Sequence, residues 1–207
     1  MVNIIQFGER KMKFNWLNES KVEKNGNAIE IYAPAKSDFF CGGDITSDEG
    51  SLPVNSCNAP YYYTEISGDF IMRVKVSLDF KSTYDSSAVM VMKDIENWIK
   101  FCFEQTDFDT HAVVSVVTRD NISDDANGCN IESDKVWLQV CRRGNAFALH
   151  YSLDGVNYYM TRFVIVDFGN TVKIGLVAQS PTGDGGKRLF EELSIENKTV
   201  KNIRAGK

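Results

Sequence analysis

Several protein classes are excluded by what the sequence has little of. Its 207 residues contain only 4 proline and 15 glycine residues, too few for a low-complexity or collagen-like chain, and its 43% of hydrophobic residues is too high for a disordered one. The 23 Lys and Arg residues are outnumbered by 28 Asp and Glu residues. This balance leaves no basic surplus to neutralise the phosphates of a nucleic acid or of an anionic membrane surface. We therefore expect one globular domain that binds neither nucleic acid nor membranes.

Signals for export and for a metal site are also scarce. No apolar run reaches the length of about 18 residues needed for a membrane span, and the N-terminus lacks the basic start and apolar centre of a signal peptide. The five cysteines form an odd set without a Cys-x-x-Cys pair, which favours free thiols in a reducing compartment. The two histidines, His111 and His150, fall in separate predicted strands. The sequence thus predicts a cytoplasmic protein with no metal site and no cofactor.

The main pattern that is present is alternation of apolar and polar residues. It is clearest between Phe70 and Phe80, where every second residue is apolar, as in a half-buried strand. Similar runs predict roughly a dozen strands in all, at Ala28–Ala33, Ala59–Ile66, Phe70–Phe80, Ala88–Lys93, Asn97–Gln105, Ala112–Arg119, Lys135–Arg143, Asn145–Ser152, Tyr158–Val166, Thr171–Gln179 and Arg188–Glu196. No segment keeps helical apolar spacing over three turns.

This pattern predicts an all-β antiparallel sandwich. Two turns, at Arg143-Gly144-Asn145 and at Leu153-Asp154-Gly155-Val156, join three strands into a meander. We place one domain at residues 12–196 and expect residues 1–11 and 197–207 to be loosely held ends. The acidic segment from Asp120 to Gly128 does not keep the register of a calcium loop, and we expect a mobile surface loop there.

Two strands carry tryptophan beside polar residues on one side. In the run from Asn97 to Glu104, alternation sends Ile99, Phe101 and Phe103 to one face and Trp98, Lys100, Cys102 and Glu104 to the other. In the second strand it sends Trp137, Gln139 and Cys141 outward. An indole beside charged groups is suited to holding a sugar, and it is also found on an ordinary exposed sheet face. If the two strands share a curved face, that face is a concave cleft with two aromatic plates.

The sequence gives less support for a catalytic site than for a sugar-binding face. The sequence has no Gly-x-Ser-x-Gly elbow and no base beside a placed nucleophile. Glu192 and Glu196 share a strand face but are roughly 13 Å apart, too far for the acid pair of a glycosidase. Glu104 and Asp107 point to opposite faces.

Taken together, many short pieces of the sequence resemble the DUF1349 family, whose members are also described as regulation-of-enolase proteins. The pieces include Asn58-Ala59-Pro60, Gly68-Asp69-Phe70, Tyr84-Asp85, Trp98-Ile99-Lys100 with Glu104, Ser115-Val116-Val117-Thr118, Trp137-Leu138 with Arg142, Tyr151-Ser152-Leu153-Asp154-Gly155, Arg162 and Gly175-Leu176-Val177-Ala178-Gln179-Ser180-Pro181 with Gly183. The resemblance implies a jelly roll of the concanavalin A-like lectin/glucanase superfamily, with a ligand cleft on the concave one of two curved antiparallel sheets. It implies no established reaction.

The chain departs from the family pattern at some positions. Cys102 stands where glycine is usual, Gln139 where arginine is usual and Tyr158 where tryptophan is usual. Ser123-Asp124-Asp125-Ala126 stands where Ser-Asp-Trp-Ser is common. Because an arginine and two tryptophans that could contact a ligand are lost, we expect either the identity of the ligand or ligand binding itself to differ from that of other members.

Three functions follow as hypotheses. The first is binding of a carbohydrate or related polyhydroxylated molecule on the concave sheet, with ligand contacts from Trp98, Lys100, Glu104, Trp137, Gln139 and Arg142, although parity points Arg142 to the other face. The second is a sugar-active enzyme with Glu104 as acid or base and Lys100 tuning its pKa. The third is a regulatory domain that docks a protein partner through the same face or through the 120–128 segment.

Overall fold

The computed structural model describes residues 4–7, 10–42 and 55–207, and every regular element in them is a β-strand. The strands are β1 (Ile4–Phe7), β2 (Arg10–Lys13), β3 (Asn15–Leu17), β4 (Val22–Asn25), β5 (Ala28–Pro34), β6 (Phe39–Cys41), β7 (Asn55–Cys57), β8 (Tyr61–Ser67), β9 (Phe70–Leu78), β10 (Ser86–Asp94), β11 (Asn97–Gln105), β12 (His111–Arg119), β13 (Ile122–Asn130), β14 (Lys135–Arg143), β15 (Ala146–Ser152), β16 (Tyr159–Ile165), β17 (Thr171–Gln179) and β18 (Gly185–Glu196). Nowhere in those ranges is there a helix that could cross a membrane.

Fourteen of the strands form two antiparallel sheets of seven strands each. The sheet that we call the β11 sheet has the order β13-β12-β11-β10-β17-β8-β3, and the β14 sheet has the order β16-β15-β14-β9-β18-β5-β4. Two further pairs, β1-β2 and β6-β7, stand apart from them. The chain is an all-β jelly-roll sandwich, as the alternation and the family resemblance predict.

The main core lies between the two sheets. Alternate residues of each strand point into it, including Ile99, Phe101 and Phe103 from β11 and Val136, Leu138 and Val140 from β14. A second apolar cluster lies on the outer face of the β11 sheet, where Phe39 and Cys41 of β6 join side chains of β10, β11 and β12. The β6-β7 hairpin therefore covers part of a sheet face that the alternation alone leaves exposed.

Each of the eleven predicted strand regions holds a strand, and β14, β15 and β16 are neighbours in the predicted meander. The expectation of a mobile loop at 120–128 is wrong, because β13 pairs along the edge of the β11 sheet from Ile122 to Asn130. Its side chains are mostly exposed Ser, Asp and Asn. An edge strand that pairs through backbone hydrogen bonds and buries few side chains needs no apolar alternation, so the sequence pattern does not reveal it.

The C-terminal segment, expected to be loosely held, packs against the outer face of the β14 sheet. Val200 is buried with Ile71 and Cys141. Arg143 donates a hydrogen bond from Nη2 to the carbonyl oxygen of Val200, at 2.6 Å. These apolar and polar contacts hold residues after β18 in place.

Candidate functional site

The side-chain parity predicted for β11 is confirmed. Ile99, Phe101 and Phe103 point into the main core, whereas Trp98 and Cys102 belong to the cluster on the outer face. Lys100 and Glu104 share the parity of Trp98, so one strand delivers an ammonium group and a carboxyl group to the same outer face.

Trp98 is not an exposed plate for stacking. Its side chain is fully buried, and its ring meets Phe39 of the β6-β7 hairpin edge to face, with centroids 5.9 Å apart and planes at 74°. The hairpin, which the alternation does not reveal, lies over it. Within the described part of the chain, the indole N–H has no hydrogen-bond partner. Trp98 supports the hairpin from below and offers no free ring face to a ligand.

Lys100 is a buried cation with a complete set of partners. Its Nζ atom donates to three acceptors: Asp38 Oδ1 at 3.3 Å, the Phe39 carbonyl oxygen at 2.7 Å and Gln179 Oε1 at 2.9 Å. Both members of the Lys100–Asp38 ion pair are at least nine-tenths buried. Burial lowers the pKa of Lys100, but the nearby carboxylates, Asp38 first, raise it by more, so the net pKa lies above its ordinary value.

Asp38 is held in place by the far end of the hairpin. Its backbone N–H donates to Asn58 Oδ1 at 2.8 Å, and its carbonyl oxygen accepts from the backbone N–H groups of Asn58 and Ala59. These contacts involve the Asn58-Ala59-Pro60 piece noted in the sequence. They place the Asp38 carboxylate against Lys100, which is 62 residues away in the chain.

A cavity of about 80 Å³ opens beside the Lys100–Asp38 pair. Its polar lining is Asp38, Tyr84, Lys100, Glu104, Asp125 and Gln179, and its apolar lining is Phe40, Val116 and Pro181. Strand register explains the convergence of three of these side chains, because Lys100 lies opposite Val116 and Val116 lies opposite Asp125. Side chains in such a row point to the same face of the sheet.

The two carboxyl groups that remain in the cavity have perturbed pKa values. Burial raises the pKa of Glu104 to about 8, despite the opposing effect of Lys100. Asp125 is exposed to solvent on the edge strand, but desolvation by its neighbours also raises its pKa, and Lys100 again opposes the shift. Glu104 is therefore mostly protonated at neutral pH. Among the described residues, no group of three His, Cys, Asp or Glu side chains is arranged to hold a metal ion.

The other three predicted contact residues lie on the β14 sheet, away from this cavity. The prediction that Trp98 and Trp137 share a face is wrong, since β11 and β14 belong to different sheets. Trp137 faces outward as predicted, but the Lys75 ammonium lies over its ring at 5.2 Å from the centroid, and its Nε1 atom donates to Glu192 Oε2 at 3.2 Å. Its ring is already engaged by the protein.

Gln139 and Arg142 are occupied by structural contacts. Gln139 is fully buried beneath the C-terminal segment, where it accepts from Arg73 Nε at 2.6 Å and donates to the Gly206 carbonyl oxygen at 3.2 Å. Arg142 has the opposite parity, as anticipated. It donates to the backbone carbonyl oxygens of Gly144, Gly169 and Asn170 at the end of the sandwich.

Of the six predicted contact residues, the structure thus brings Lys100 and Glu104 to one cavity, with Trp98 beneath the hairpin next to Lys100. Sequence reasoning missed the other lining residues, Asp38, Phe40, Tyr84, Val116, Asp125, Gln179 and Pro181. Asp125 carried a usable signal, because the sequence at 123–126 departs from the family pattern. Asp38 and Phe40 carried none, since they lie in and beside a strand of three residues.

Solved structures with this fold include proteins that act on or bind sugars. The chain is similar to a functionally unknown protein from Saccharomyces cerevisiae, at 22% identity and a TM-score of 0.79, with 90% of this chain and 97% of that one covered. It is similar to the carbohydrate binding module CBM66 from Bacillus subtilis, at 10% identity and a TM-score of 0.54, with 87% and 94% covered. It also matches the xylan beta-1,4-xylosidase from Bacillus halodurans, at 9% identity and a TM-score of 0.62, with 87% and 38% covered.

These likenesses establish the fold, and the chain spans well under half of the xylosidase. No curated protein matches the sequence. The family profile described as "Protein of unknown function (DUF1349)" matches residues 16–198. The chain therefore belongs to the DUF1349 family, within a jelly-roll architecture shared with carbohydrate-binding modules and glycoside hydrolases.

Proposed function

We propose that this domain binds a carbohydrate or a related polyhydroxylated small molecule in the cavity on the outer face of the β11 sheet. The observation that carries the proposal is the lining of that cavity, where the carboxyl groups of Glu104 and Asp125 face the apolar side chains of Phe40 and Pro181. A sugar offers hydroxyl groups to carboxyls and C–H faces to apolar or aromatic side chains.

The cavity size decides how much of a sugar could enter. An apolar cavity of about 150 Å³ can enclose one benzene ring, so a cavity of about 80 Å³ accepts a substituent or one edge of a sugar ring. The rest of the ligand would lie at the mouth, beside the β6-β7 hairpin. This arrangement suits the end or the side of an oligosaccharide better than a fully enclosed monosaccharide.

The similarity to a carbohydrate binding module supports the proposal at the level of the fold. Within the site, we propose that Glu104 contacts the ligand and that Lys100 positions Asp38 and Gln179, its hydrogen-bond partners. Trp137, Gln139 and Arg142 have no role in this cavity. A cytoplasmic location remains a prediction from the sequence, as does the alternative of a protein partner.

Isothermal titration of the protein against a panel of mono- and oligosaccharides tests the proposal. We expect at least one sugar to bind, and Phe40→Ala to weaken that binding at least tenfold because the apolar wall is lost. Phe108→Ala removes an exposed phenyl ring, 74% accessible, that does not line the cavity, and it should leave the affinity unchanged. The proposal would be contradicted if no sugar in the panel binds, or if both variants lose the same amount of affinity.

A second candidate function is glycoside hydrolysis at the same cavity, with Glu104 as the general acid. It is favoured by the pKa of about 8, which keeps this carboxyl protonated at neutral pH. Activity on an alkyl glycoside or a disaccharide, whose leaving alcohol must be protonated, would fall as the pH rises through about 8 and would be abolished in Glu104→Gln. Sugar binding without turnover of any such glycoside would reject this candidate and leave the binding proposal intact.

A further inference from the structure

The charge of the cavity indicates which sugars it would take. Lys100 is the one cation among the lining residues that the structure describes. Its three N–H bonds are matched by the three acceptors named above, and Asp38 pairs with its charge. An incoming ligand therefore finds neither a free ammonium donor nor an uncompensated positive charge on Lys100.

Two carboxyl groups, those of Glu104 and Asp125, line the cavity together with Tyr84 and Gln179. Glu104 is nine-tenths buried, and the Cys102 thiol of the same strand, a weak hydrogen-bond donor, lowers its pKa by less than Lys100 does. Asp125 lies across the same cavity. Arg162, whose charge also acts on Asp125, forms an ion pair with Asp124 at 2.7 Å and a hydrogen bond with Ser115. A carboxylate or phosphate on the ligand would be repelled by Asp125, whereas an ammonium group would gain charge-assisted hydrogen bonds.

From this lining we propose that the preferred ligand is an amino sugar, whose protonated amine enters the cavity that Glu104 and Asp125 line. The inference rests on the proposed function and narrows its ligand class. A primary ammonium group fits a cavity of about 80 Å³ and carries a positive charge to pair with the carboxyls, whereas an N-acetyl group carries none.

Binding of a cation should also displace a proton. The titratable groups that act on Glu104 are Lys100 and Cys102 of its own strand, Asp125 of β13 and Asp38 before β6, and Tyr84 lines the same cavity. Burial raises the pKa of Glu104 to about 8, so its carboxyl is protonated in the free protein at pH 7. An ammonium ligand favours the carboxylate, and we expect up to one proton to be released per amine bound. A neutral sugar should release none.

The experiment is titration calorimetry on the whole chain with matched sugar pairs that differ in one substituent. The probes are oligomers of glucosamine, galactosamine and mannosamine, each compared with its N-acetylated and its parent neutral oligomer, together with an oligoglucuronate. Two buffers of different ionisation enthalpy at pH 7 report the number of protons released. We expect one of the amino sugars to bind at least tenfold more tightly than its neutral and N-acetylated partners, and the oligoglucuronate not to bind.

Three variants separate the contributions of Asp125 and Glu104 to the amine preference and to the proton release. Asp125→Asn should reduce the amine preference at least fivefold, and Glu104→Gln should abolish proton release. Glu192→Gln, on the outer face of the opposite sheet, is the matched control and should change neither quantity.

The outcomes are distinguishable. Neutral sugars that bind as tightly as amino sugars would overturn this inference and leave the proposed function standing. A preference that survives Asp125→Asn would also overturn it. If neither neutral nor amino sugars bind, both the inference and the proposed function fail.

Discussion

At the residue scale, the structure depends on pairing a buried ammonium group with a buried carboxylate. The Lys100–Asp38 pair joins the β11 sheet to the β6-β7 hairpin, and each partner also has hydrogen bonds to neighbouring groups. Removing one charge from such a pair leaves the other buried without compensation, which typically costs about 3–5 kcal/mol.

Replacement of Lys100 tests this pair. We expect Lys100→Met to lower the free energy of unfolding by about 3–5 kcal/mol, because Asp38 is then left alone. The double variant Lys100→Met/Asp38→Asn should recover part of the loss. Urea denaturation measures both. A loss under about 1 kcal/mol in the single variant would show that the pair is not buried in the folded protein.

The buried Glu104 gives the stability a characteristic pH dependence. Its pKa is about 8 in the folded protein against an ordinary value of 4.5, so folding takes up a proton between these two pH values. The stabilising contribution of the neutral carboxyl is complete below about pH 4.5 and is lost as the pH rises through about 8.

Glu104→Gln removes this proton uptake. The stability of the variant relative to the wild type should therefore increase by about 1.4 kcal/mol per pH unit between pH 5 and pH 8. Urea denaturation at four pH values measures it, with the exposed Glu65→Gln as control. A stability difference that stays constant with pH would contradict the buried, protonated state of Glu104.

At the scale of elements, β17 and β8 approach each other closely at one glycine. A Cβ atom added to Gly175 would overlap the carbonyl oxygen of Tyr62 and would lie 2.6 Å from the Cα atom of Tyr63. Both atoms belong to the neighbouring backbone, so neither can move without disturbing the strand pairing.

We expect Gly175→Ala to destabilise the protein by about 1–3 kcal/mol through this overlap. Thermal or urea unfolding measures the change. Thr171→Ala, at the exposed end of the same strand, is the control and should change the free energy of unfolding by much less. A fully stable Gly175→Ala variant would mean that the two strands are not paired in this register.

The C-terminal segment is a second element with a testable contact. Val200 covers Cys141, which is fully buried and whose pKa burial raises to about 12. Truncation after Thr199 should therefore increase the labelling rate of Cys141 by a maleimide at least tenfold, as followed by mass spectrometry. Exposed Cys129 should be labelled in both forms and buried Cys102 in neither. Equal labelling of Cys141 in both forms would contradict the packing of this segment.

At the scale of the whole molecule, the sequence predicts which face of a strand a side chain occupies better than it predicts which strands pair. Alternation correctly sends Trp98 and Trp137 outward from their own strands. It does not say which sheet a strand joins, because that depends on pairings such as β14 with β9. The two indoles consequently lie on opposite sheets, and the predicted cleft between them does not form.

The strands that complete the cavity, β6 and β13, have no clear periodic pattern in the sequence. The β6 strand has three residues, too few for a periodic pattern, and β13 is an edge strand held by its backbone. The contact between Lys100 and Asp38 spans 62 residues, and no local pattern encodes it. Two of the six predicted contact residues, Lys100 and Glu104, nevertheless line the cavity, because both follow from the parity of β11.

The most direct measurement of the central claim is a crystal structure of the protein with the sugar that binds most tightly in the calorimetric panel. We expect this sugar to occupy the cavity beside the β6-β7 hairpin, with a hydrogen bond to Glu104 or Asp125 and a contact with Phe40. A sugar seated against Trp137 on the opposite sheet, with the cavity unaltered, would contradict this expectation.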